Sequence, residues 1–112
     1  MNASTTTLKN FDDLSSCEQK LLRACQRICF GTLYGLGVSG GQPVFDPAPR
    51  MRRKLRLTEK SIHSQPKRGS FALKDKHRLL IELIRKMDCG VIEKIEVRDG
   101  LPELISIDSE II

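Results

Sequence analysis

The chain reads as an α+β protein in which one helix-plus-hairpin unit is used twice, αββ-linker-αββ, and three observations lead to that fold class. First, the 112 residues align with themselves at an offset of 59. Leu21 then falls on Leu80, Gly31 on Gly90, Val38 on Val97, Gly41 on Gly100 and Pro43 on Pro102, five identities in 25 ungapped pairs. Apolar positions follow the same offset at Leu22/Ile81, Cys25/Ile84, Leu33/Ile92, Leu36/Ile95 and Phe45/Leu104, as a repeated structural unit requires. Second, each half carries an apolar stripe at helical period. Third, each half contains a two-residue hairpin turn signal, Gly40-Gly41 and Asp99-Gly100.

The elements follow in order. Ser15-x-x-Glu18 has capping-box spacing, so the first helix starts there and extends to about Phe30. Leu79, Leu80, Leu83, Ile84 and Met87 place the second helix over roughly residues 73–88. Gly31 and Gly90 stand where a left-handed residue ends a helix, so both are expected at positive φ. Strands are expected over 32–38 and 91–98. Beyond each turn, Pro43 and Pro102 pair with Val38 and Val97. Their missing N–H then faces away from the hairpin partner, which makes the second strand of each hairpin an outer strand. The first strands meet in the middle of a four-stranded antiparallel sheet around a pseudo-twofold axis, and both helices back one face. Ile95 and Val97 share a face, but Ile92 breaks the period, which calls for a bulge or a twisted entry.

Residues 1–12 read as a disordered start. Residues 13–112 read as a single domain of two repeats, 15–46 and 73–108, joined by a basic connector, 47–72. Each unit is too small to bury its own helix stripe, so one shared core is expected.

The pattern Leu21-Leu22 … Phe30-Gly31-Thr32 … Gly40-Gly41-Gln42-Pro43-Val44 resembles the YezD-type small bacterial proteins, and Cys89-Gly90 … Asp99-Gly100 carries the likeness into the second half. The likeness covers about 25 residues in each half and leaves out the connector. It implies a helix-plus-hairpin unit and brings no known activity.

Composition limits the chemistry. No stretch approaches the ~20 consecutive apolar residues of a membrane helix, and no membrane partner is expected. Four cysteines with no secretory signal point to a reducing cytoplasm and free thiols. Cys25 and Cys29 lie mid-helix, whereas structural zinc wants a Cys pair in a tight turn. By the repeat, Cys25 takes the place of Ile84 and Cys89 that of Phe30, so both read as core residues, with Cys17 and Cys29 nearer the surface. No metal and no cofactor are expected. His63 and His77, the only histidines, read as solvated. The glycines at 35, 37, 40 and 41 lack the strand-before, helix-after order of a phosphate-cradling loop. Carboxylate pairs such as Glu93/Glu96 have no evident pocket. The chain reads as non-enzymatic.

The net charge of +5 is unevenly distributed. Residues 50–78 hold eleven Lys/Arg against two acids, a net of +9, and the remainder holds eight against twelve, a net of −4. Within that segment Arg50, Arg52, Lys54 and Arg56 alternate. In an extended chain they point one way at ~6.6–6.8 Å intervals, close to the spacing of successive phosphates on a nucleic-acid strand. The candidate polyanion-binding set is Arg50, Arg52, Arg53, Lys54, Arg56, Lys67 and Arg68, and the partner expected is nucleic acid or an acidic protein. Charge runs are also commonly solvated linkers. The rival reading is a protein–protein adaptor that uses the helices or the open sheet face.

Overall fold

The computed structural model describes residues 9–59 and 71–107. Helix α1 (Ser16–Ile28) leads into strand β1 (Phe30–Ser39) and strand β2 (Gln42–Val44). A further strand, β3 (Arg50–Arg53), follows. Helix α2 (Asp75–Met87) leads into β4 (Gly90–Arg98) and β5 (Leu101–Ile107). The antiparallel order is β2-β1-β4-β5, and β3 also pairs with β1. The expected outer strands are therefore the outer strands. The sheet nevertheless has five strands, one more than expected, because the start of the basic connector joins it.

Ser15 caps α1 as its spacing predicts. Its Oγ accepts from Glu18 N–H (3.2 Å), and Glu18 Oε1 accepts from Ser15 N–H (3.0 Å). Residue 77 plays the Glu18 part in α2, where Nδ1 of His77 accepts from Lys74 N–H (3.1 Å). His77 is buried against the Phe71 ring, so the expectation of a solvated histidine is corrected. The helices end three residues before the glycines expected to stop them. Cys29 (φ 59°) and Asp88 (φ 65°) take the positive-φ cap positions; β1 starts at the next residue, Phe30, and β4 one residue later, at Gly90. Gly31 (φ 156°) and Gly90 (φ 149°) are also at positive φ, as expected.

One apolar cluster joins both helices to one face of the sheet. Leu21, Leu22, Cys25 and Ile28 from α1 meet Leu80, Ile81 and Ile84 from α2 over Leu33, Leu36, Ile92 and Ile95. Each such buried aliphatic side chain contributes about 1.5–3 kcal/mol. Leu33 and Leu36 both face this core although they are three apart, because the chain switches phase at Gly35 (φ 72°). Ile92 and Ile95 do the same across the ladder, where the register with β5 shifts between Ile92 and Lys94. That shift accounts for the misfit of Ile92 with a period of two. Cys89 and its counterpart Phe30 are exposed, which corrects the core placement of Cys89.

The start of the chain is packed further out than expected. Phe11 is buried, its N–H donates to Phe71 O (2.8 Å), and the two rings stack at 4.9 Å between centroids. A disordered start therefore cannot extend to residue 11. Residues 1–8 lie outside the described residues, as do residues 60–70 of the connector, where His63 falls.

Glu18 is fully buried and joins the two helices. The Arg85 guanidinium donates to Oε2 at 2.7 Å and to Oε1 at 2.8 Å, and Gln42 Nε2 donates to Oε2 at 3.1 Å. Burial opposes ionisation, but Arg85, the Ser15 N–H and Gln42 together hold the carboxyl below its usual range. Desolvation and the Lys74 charge likewise hold His77 below its usual range. Both folded pKa values are depressed, so both groups stabilise the fold at neutral pH and lose that contribution on acidification. For His77 the loss begins as pH falls through about 6.5, and for Glu18 through about 4.3. Denaturant melts from pH 7.5 to 3 should show the earlier component vanish in His77→Gln, which keeps an acceptor for the Lys74 N–H. Glu18→Gln should lose about 2 kcal/mol at pH 7, since it leaves Arg85 without its counter-charge. An unchanged acid limb in both variants would contradict this assignment.

The two strand-entry glycines differ in surroundings. A Cβ on Gly31 would lie 1.9 Å from the backbone oxygen of Arg52, whereas one on Gly90 would meet only the flexible tip of Met87 at 3.3 Å. Gly90→Ala should cost about 1–3 kcal/mol from backbone strain alone. Gly31→Ala should cost more and detach β3, seen as loss of amide protection at 50–53 in hydrogen exchange. Equal costs with β3 still protected would refute the close-approach account.

Candidate nucleic-acid interface

The basic strand exists because β1 is longer than β2. β2 covers only Gly37 to Ser39 of β1, which leaves the first half of that edge open. The chain then leaves the sheet through Asp46-Pro47-Ala48-Pro49, where prolines have no N–H to give a ladder. It returns at Arg50 and pairs antiparallel with Gly31 to Tyr34. β2 and β3 thus share one edge of the sheet as a single interrupted strand. Lys54 N–H donates to Phe30 O (2.7 Å) and carries the pairing one residue further.

This register decides which way each base points. Arg50 lies opposite Tyr34 and Arg52 opposite Thr32, while Met51 lies opposite the buried Leu33. Neighbours across a ladder share a face, so Arg50 and Arg52 stand on the face away from the helices. Arg53, opposite Gly31, falls on the helix side. The expected row of four is thus placed in part. The ladder sets Arg50 and Arg52 on one face, while Lys54 and Arg56 lie beyond the regular strand. All five bases from Arg50 to Arg56 are exposed. Lys67 and Arg68 lie outside the described residues.

The tertiary structure adds side chains that the connector alone does not reveal. Phe30 pairs with Arg98, and Tyr34 with Lys94. Across the open face one row reads Arg50, Tyr34, Lys94, Ser106 and the next reads Arg52, Thr32, Glu96, Leu104. Four bases and two aromatic rings therefore converge on one surface, with Glu96 among them. The signal was present in β1 and β4. Phe30, Thr32 and Tyr34 alternate with Gly31 and Leu33, and Lys94, Glu96 and Arg98 alternate with Ile95 and Val97. It becomes legible only once the neighbouring strands and their register are known.

Other chemistries find little support among the described residues. No group of three or more His, Cys, Asp or Glu gathers to hold a metal ion. Burial pushes the Cys25 thiol up to about 12, far from the thiolate a nucleophile needs. A cleft of about 280 Å3 between α2 and β5 is walled by Leu79, Leu80, Leu83, Pro102 and Ile105, with Lys76 and Glu103 paired beside it. It contains no nucleophile–base pair. No helix among the described residues is long and apolar enough to cross a membrane. Scans against protein-family models, curated proteins and solved structures found no match to this chain.

Proposed function

We propose that this chain is a non-enzymatic binding module that engages nucleic acid, or another polyanion, through the basic strand β3 and its neighbours. One observation carries the reading. Arg50 and Arg52 alternate on an exposed edge strand, facing away from the helices, in a stretch from 50 to 56 that contains no acid. A rigid strand holds its charges at fixed spacing, so it loses less side-chain and backbone freedom on binding than a coil of equal charge.

We read the two αββ units as a pseudo-twofold pair, and the YezD-type likeness as a likeness of each unit. The support is that equivalent residues make equivalent contacts at the offset of 59. Gly41 N–H donates to Asp88 O and Gly100 N–H to Cys29 O, both at 2.8 Å.

The adaptor reading has its own observation. Leu79 and Leu104 are 64% and 58% exposed beside the cleft between α2 and β5, an apolar surface suited to a protein partner. Salt separates the two readings. Polyanion binding weakens steeply as salt rises, whereas an apolar contact barely responds.

Labelled random-sequence DNA and RNA, titrated by fluorescence anisotropy at several salt concentrations, provide the test. Each phosphate contact contributes ~0.9 to the slope of log affinity against log salt on a duplex and ~0.7 on a single strand. Arg50→Ser with Arg52→Ser should flatten the slope by ~1.8 or ~1.4 respectively, without preference for base sequence. Both side chains are exposed, so the melting temperature should stay put. If the double variant titrates like the parent, β3 is only a solvated edge and the adaptor reading takes over.

A further inference from the structure

We infer that the polyanion taken by the open sheet face is a single-stranded nucleic acid, with bases stacked on Tyr34 and Phe30 and phosphates held by Arg50, Arg52, Lys94 and Arg98. This rests on the proposed polyanion reading and narrows it to one substrate class.

The argument starts from the central strand. Phe30 and Tyr34 belong to the same strand, share a face and lie four residues apart, about 13 Å at ~3.3 Å per residue. Phe30 is 46% exposed although it is a large apolar ring. Its neighbour across the ladder is Arg98. Tyr34 is half-buried between Arg50 on one side and Lys94 on the other. Each ring thus has at least one base beside it, at the ~4.8 Å separation of neighbouring strands.

That combination discriminates between forms of nucleic acid. A duplex hides the faces of its bases in the stack, so it can offer this surface only phosphates, and the rings would gain nothing. A single strand offers both partners at once. Stacking of a base on an aromatic side chain is worth ~1–3 kcal/mol and tolerates any sequence. A twisted open sheet with aromatics on its central strand is also flat enough to receive splayed bases. Glu96, in the row between the rings, disfavours a phosphate at that point. It can instead accept a hydrogen bond from the exocyclic amine of a base. Arg50 and Arg52 on the outer strand β3, with the rings on β1, match a nucleic-acid backbone along that edge and nucleobases laid across the sheet toward Lys94 and Arg98 on β4.

The chain contains one tyrosine and no tryptophan, so its intrinsic emission reports on Tyr34 alone. Unlabelled oligonucleotides of roughly 12 nucleotides, within the usual span of single-strand sites, can be titrated as single strands and as the matching duplexes. Single strands should quench the tyrosine emission and bind at least about tenfold more tightly than duplexes at equal salt, the size of one stacked base. The variants at position 34 carry no tyrosine, so variant affinities are read from the anisotropy of labelled oligonucleotides, and Tyr34→Phe should bind within about twofold of the parent, because the ring is kept. Tyr34→Ser and Phe30→Ser should each weaken single-strand binding roughly tenfold and leave duplex binding unchanged. Quenching in the unaltered chain needs no variant, so it decides the matter even if a serine variant melts.

If duplex binds as tightly as single strand and the emission does not change, the stacking inference is overturned while the phosphate reading stands. If neither form binds more tightly than ~100 µM at low salt, weaker even than ordinary non-specific binding, both readings fall.

Discussion

The turn between β1 and β2 is held by the end of α2, and the turn between β4 and β5 by the end of α1. The Gly41 amide donates to the last carbonyls of α2 at Asp88, and the Gly100 amide donates to the end of α1 at Cys29. A helix C-terminus leaves carbonyls without intrahelical partners, and here a turn from across the molecule supplies the donors. The approach is close. A Cβ on Gly41 would stand 3.1 Å from the Arg85 backbone oxygen. The buried Glu18–Arg85 pair lies at the same junction and links positions 67 residues apart. Both helix ends therefore find partners in the opposite half of the chain, and both helix stripes pack into one cluster. With the core and these polar contacts shared between the two halves of the chain, a single cooperative transition is the expected behaviour.

The paired switch of phase at Gly35 and at Glu93 has consequences on both faces of the sheet. A strand that kept a period of two throughout would turn either Leu33 or Leu36 to solvent. Breaking the period at one level in both central strands lets Leu33, Leu36, Ile92 and Ile95 all reach the helices. The same break determines what remains outside. On the Arg50 side of the break, the outer face collects Phe30, Thr32 and Tyr34 with Lys94, Glu96 and Arg98. The candidate binding surface is thus the complement of the core, set by the same irregularity.

The basic strand also answers a structural need. An uncovered edge of β1 would present free N–H and C=O groups to any other chain. Arg50–Arg53 covers it and leaves charge on the new outer edge, which discourages further pairing. The cost of this arrangement falls on residue 31, where the Arg52 carbonyl comes too close for any side chain. Gly31 is therefore tied both to the exit from α1 and to the position of the candidate binding strand. Its counterpart Gly90 faces only Met87 and has no such second duty.

The sequence by itself determined the helices, the capping at Ser15 and Glu18, the two turns and the outer position of the strands that carry Pro43 and Pro102. All of these depend on local chemistry: spacing of apolar residues, capping oxygens, positive-φ turn residues and a missing N–H. The pairing of 50–53 with β1 was not legible, because the space for it exists only where β2 stops short, a fact of tertiary geometry. The burial of His77 was hidden for a related reason. A lone histidine on a helix looks solvated until Phe71, brought over by its pairing with Phe11, covers it. Arg50 and Arg52 were visible as an alternating charge run, but their company was not. Only the register of β3, β1 and β4 sets Tyr34, Phe30, Lys94 and Arg98 beside them, since contacts between strands distant in sequence are decided by long-range packing and leave no local trace.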